Sequence, residues 1–107
     1  MKILKFDFDR GSEACALDIA QGVLQLYYQT RSSWGLYMTE LFADRFGVTV
    51  IHTSDMTTTS QISYENGYND QLKKHIDATH GVGAYADAMK EVKSFRMERY
   101  KETFGDS

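Results

Sequence analysis

The sequence predicts a small α+β domain in which helices outnumber strands, with a short two- or three-stranded sheet and a long C-terminal helix. Three observations predict it. Apolar and charged residues alternate near the N-terminus, in the stretch 2–8; a run made almost wholly of β-branched residues spans 48–53; and most of the remaining chain repeats its apolar residues at helical spacing.

In order, Leu4, Phe6 and Phe8 fall on one side of an extended segment, with Lys5 and Asp7 on the other, which reads as a half-buried strand. Asp9-Arg10-Gly11-Ser12 would end it, and Ser12 could cap the next element. Residues 13–29 fit a buried helix whose broad apolar face holds Ala16, Leu17, Ile19, Ala20, Val23, Leu24, Leu26, Tyr27 and Tyr28. A competing reading makes 23–30 a third strand, with Gly22 as the turn before it. After the break at Arg31-Ser32-Ser33, Trp34 to Phe46 reads as a helix carrying Leu36, Tyr37, Leu41 and Phe42, stopped by Gly47. Val48 to Thr53 is the second strand. Thr58 with Gln61 makes a capping box for a helix from about Ser60 to Thr79, ended by His80-Gly81. Val82 to Phe104 is the last helix, with Val82, Tyr85, Ala86, Met89, Val92, Tyr100 and Phe104 inward.

The 107 residues are expected to form a single domain, 1–107, with enough apolar content (42%) to fold unaided. Proline is absent, so glycines and capping residues must supply the breaks. The net charge of -3 weighs against a nucleic-acid binder, which gains affinity by neutralising phosphates; the basic residues Lys90, Lys93, Arg96, Arg99 and Lys101 gather at the C-terminal end. Cys15 is the sole cysteine, which excludes an intrachain disulfide and suits a reducing compartment. No apolar run approaches the roughly 20 residues of a membrane span, and charges interrupt the N-terminus too early for a signal-peptide core. The expected setting is cytoplasmic, with no membrane partner.

Phe6-Asp7-Phe8-Asp9-Arg10-Gly11-Ser12 resembles, over seven residues, the strand-end motif of haloacid-dehalogenase-type phosphatases. That resemblance implies a nucleophilic carboxylate and a Mg²⁺ site at Asp7 and Asp9. The fold behind the motif needs several further βα units, and strand alternation alone would put both aspartates on a solvated face. On the 60–79 helix, Glu65 and Asn69 share the stripe of Ile62, Leu72 and Ile76, where apolar residues are expected. With Tyr68, and Tyr64 beside it, they are the candidates for a polar ligand cleft. The plainer alternative is a wet helix end. Gly67 between them costs about 1 kcal/mol relative to Ala unless a close backbone approach or a ligand explains it.

His52 with Asp55 could form a base and its orienter. His75 and His80 lie about 140° apart on an ideal helix and cannot share an ion, so neither a metal nor another cofactor is expected. Trp34 and Tyr37, with Arg96 and Tyr100 on the final helix, are the candidates for an interaction surface, because fourteen aromatics are many for a small core. Two functions compete. One is a non-catalytic domain binding a protein partner or a second copy of itself, of the size and charge of an inhibitor or immunity factor. The other is a small enzyme or ligand-binding protein built around Glu65 and Asn69.

Overall fold

A computed structural model describes residues 3–28, 34–53 and 58–104, the side chains of 34–35 and 96–104 excepted. Among the described residues four helices and two strands follow in the order α1 (Lys5–Ala20), β1 (Gln25–Tyr28), α2 (Trp34–Phe46), β2 (Thr49–His52), α3 (Thr59–His80) and α4 (Ala84–Phe104). The domain is helix-rich, and the sheet among the described residues is a single parallel pair in which Leu26 faces Val50 and Tyr28 faces His52. Parallel strands cannot be joined by a tight hairpin; α2 supplies the crossover.

The first segment departs from expectation. Residues 5–8 open α1 rather than forming a strand, and Ser12 lies in the helix interior, its hydroxyl donating to Gln71 Oε1 at 3.3 Å. Three alternating apolar residues fit either period, and tertiary contact decides between them. Phe6, a core residue in the strand reading, is 73% exposed. Phe8, Gly11, Ser12 and Cys15 instead form the helical face that meets α3. Leu4 N–H donates to Ser63 Oγ at 2.8 Å, the Phe8 carbonyl lies over Gly67, and Ser12 meets Gln71. Each pair is separated by 59 residues, so α1 and α3 run parallel and in register. Both glycines are needed for this approach. A Cβ on Gly11 would overlap the Tyr64 carbonyl oxygen, and one on Gly67 that of Phe8. The structure therefore answers the question posed by Gly67 with a close backbone approach.

The helix expected over 13–29 ends at Ala20. Gly22 turns the chain at φ 80°, and β1 lies inside the stretch for which a strand was the competing reading. Leu17, assigned to the buried face of that helix, is exposed. Helix α2 ends where Gly47 adopts φ 67° and Val48 N–H reaches back to the Phe42 carbonyl. Strand β2 falls within 48–53. Helix α3 is capped by Thr58, whose hydroxyl accepts from Gln61 N–H at 3.1 Å; the Gln61 side chain turns to Glu65 rather than completing the box. Val82, expected inward, is fully exposed at the tip of a turn between Gly81 and Gly83, both at positive φ.

Side chains alternate across the sheet, so Leu26 and Val50 share one face, Tyr27 and Ile51 the other. The Tyr27 ring meets Tyr68 of α3 edge-on at 5.1 Å, while α2 packs on β2. Leu26, Met38, Phe42, Val48, Leu72, Ile76, Ala88 and Val92 form the core, joined by Cys15 from α1.

Candidate functional site

The three cleft candidates of α3 have different occupations. Asn69 is turned to the outer edge of β1: its Oδ1 accepts from Tyr27 N–H at 2.9 Å and its Nδ2 donates to the Tyr27 carbonyl at 2.6 Å. One side-chain amide thus pairs both outward main-chain groups of Tyr27 and blocks that edge at this residue. Tyr68 is buried, and its hydroxyl donates to Asp18 Oδ2 at 2.5 Å, with Gln25 Oε1 at 3.4 Å. Burial, reinforced by the Asp18 carboxylate, pushes the Tyr68 phenol well above its ordinary pKa. Glu65 is half-buried one turn before Asn69, and its carboxylate accepts from Gln61 Nε2 at 2.7 Å.

Asp18, on the polar face of α1, had no distinguishing sequence signal, because its partner lies 50 positions away. Cys15 stands one turn before it. Burial, helped by the Asp18 charge, lifts the Cys15 thiol from 9.0 to about 11, so it stays a thiol at neutral pH and lacks the thiolate of a nucleophile. Asp7 and Asp9 are two residues apart in a helix, hence about 200° apart. Asp9 pairs with exposed Lys5 at 2.9 Å, and Arg10 approaches Asp7 at 3.8 Å. The strand-end geometry that the phosphatase resemblance required is absent from this segment.

His52 Nε2 and Thr39 Oγ1 lie 2.8 Å apart, which ties the end of β2 to α2; Asp55, its supposed orienter, lies outside the described residues. His80 rests its ring against Phe46 at 4.9 Å. Among the described residues no group of three or more His, Cys, Asp or Glu side chains is placed to hold a metal ion.

Of the surface candidates, Tyr37 stacks on Phe95 of α4 with ring centroids 4.1 Å apart and planes 9° from parallel. The pair borders a shallow concavity of about 330 Å³, completed by Lys90, Glu91 and Ser94. Leu36, the residue before Tyr37 on α2, is 65% exposed. Arg45 closes the α2–α4 seam with two bonds to Glu91, at 3.0 and 2.9 Å, which hold the Glu91 carboxyl below its usual pKa. The side chains of Trp34, Arg96 and Tyr100 lie outside the described residues. A second concavity, of about 360 Å³, lies under the α3–α4 turn between Arg45, Phe46, His80 and Val82. Neither hollow is lined by Glu65, Tyr68 or Asn69.

No protein-family model matches the chain, and no curated protein or solved structure matches it either. Among the described residues no helix is long and apolar enough to cross a membrane.

Proposed function

We propose that this chain is a non-catalytic protein-interaction domain that associates with a second copy of itself. The observation that carries this reading is a division of labour. Tyr68 and Asn69, the polar residues best placed to serve a ligand, are spent on Asp18 and on the β1 main chain. Large apolar side chains, meanwhile, stand in solvent: Leu36 on α2, Phe6 and Leu17 on α1, and Val82 at the α3–α4 turn. Apolar surface left outside a small core gains most by being covered in association.

The net charge of -3 favours a protein partner over nucleic acid, and a buried thiol with no disulfide suits a reducing, cytoplasmic setting. Sedimentation velocity over a wide concentration range tests the reading. It predicts a species of twice the 12.2 kDa chain mass whose share grows with concentration. A species that stays at the chain mass throughout overturns it.

A further inference from the structure

We propose that β2 pairs with β2 of a second copy, antiparallel and about a two-fold axis at Ile51, which extends the sheet to four strands in the order β1-β2-β2-β1. The proposal rests on the self-associating reading above and names its surface. The two edges of the sheet are treated differently. The β1 edge is blocked at Tyr27 by Asn69, while among the described residues β2 is flanked by β1 on one side only. Thr49 N–H bonds to the Leu24 carbonyl and Thr53 N–H to that of Tyr28, so the odd-numbered residues of β2 turn their main chain toward β1. By alternation Val50 and His52 turn theirs outward. Among the described residues no main-chain hydrogen bond to either is formed on that side. Val50 is buried in the core beside Leu26, and His52 is exposed.

The free groups are spaced for self-pairing. With the axis at Ile51, Val50 lies opposite His52 of the second copy and His52 opposite Val50. Each pair exchanges two N–H to carbonyl bonds, four in all, which uses every outward group of both residues. Moving the axis to Val50 would place His52 against Val48, whose N–H is already committed to the Phe42 carbonyl. The strand also lacks the devices that keep edges apart: Val48-Thr49-Val50-Ile51-His52-Thr53 contains no Lys, Arg, Asp, Glu or Pro. A closed two-fold pairing consumes the β2 edge and leaves as far strands the β1 strands, each blocked at Tyr27 by Asn69. Half-buried Ile51 would meet its own copy in a non-hydrogen-bonded pair, with Cα atoms about 4.5 Å apart, and be covered there.

That meeting supplies the experiment. Ile51→Lys sets two ammonium groups face to face, and Ile51→Glu two carboxylates. Each variant alone should sediment at the chain mass, and an equal mixture should recover twice that mass. Ile51→Cys should oxidise to a covalent dimer, since the Cα spacing suits a disulfide; Leu36→Cys, at a more exposed position, should not. If the lysine variant fails to fold, the milder cysteine variant decides alone. Ile51→Lys remaining dimeric while Leu36→Lys falls to the chain mass overturns the edge pairing and leaves self-association standing on the α2–α4 surface. An unaltered chain at the chain mass at every concentration overturns both.

Discussion

Gly11 and Gly67 are the residues on which the packing of α1 against α3 depends most closely. In an exposed helix, replacing glycine by alanine gains about 1 kcal/mol from backbone entropy. At Gly67 the sign reverses, because the new methyl group would overlap the Phe8 carbonyl oxygen, and backbone cannot step aside as a flexible side chain can. Gly67→Ala is expected to cost about 1–3 kcal/mol or more net, as overpacking does, and urea denaturation reads it directly. An unchanged or raised midpoint would show that the two helices are not in this contact.

Titratable residues of the same core make a second prediction at this scale. Burial raises the pKa of the Cys15 thiol, to about 11, and those of the Tyr27, Tyr68 and Tyr85 phenols. In each case the fold favours the neutral, protonated form more than the unfolded chain does. The stability they contribute is fully present below the ordinary thiol value of 9.0 and is lost as pH rises from there through the folded values. The urea midpoint should therefore hold steady from neutrality to about pH 9 and decline beyond it. A midpoint that is flat through about pH 11 contradicts the burial of these groups.

At the scale of elements, Asn69 does for β1 what a neighbouring strand would do. Asn69→Asp keeps the acceptor for Tyr27 N–H but sets a carboxylate oxygen against the Tyr27 carbonyl in place of a donor. The loss should be about 1–3 kcal/mol at neutral pH. It should shrink on acidification, because a protonated carboxyl can donate again; the sign follows from a folded-state pKa raised above the unfolded one. Thermal melts of the variant at pH 7 and in mild acid measure both, and a pH-independent loss would contradict the pairing.

How far the elements can be read from the sequence depends on where their determinants lie. The α2 and α3 spans are legible because local chemistry marks their ends, Gly47 at a positive φ and Thr58 as a side-chain cap. The 2–8 segment is not, because helix and strand tie locally and the contact that breaks the tie, Phe8 over Gly67, lies 59 residues away. The stretch after Gly22 tied in the same way, and its outcome depends on a partner strand 24 positions on. The site follows the same rule. Glu65, Tyr68 and Asn69 are visible as polar residues on an apolar stripe, but their partners, Asp18 and the Tyr27 main chain, emerge only from the packing of α1 and β1 on α3.

For the whole molecule, the unequal edges of the sheet carry the functional account. A two-stranded parallel sheet is small for its class, since parallel strands usually sit inside larger covered sheets. Pairing β2 with its copy would extend it to four strands without adding chain length. Amide hydrogen exchange at Val50 and His52 in the unaltered chain, followed from about 5 µM to about 500 µM, tests this most directly, because only intermolecular pairing makes protection concentration-dependent. The account predicts that both amides slow by about tenfold or more over that range while the Tyr27 amide, bonded to Asn69, stays unchanged. Equal rates for Val50 and His52 at both ends of the range would contradict it.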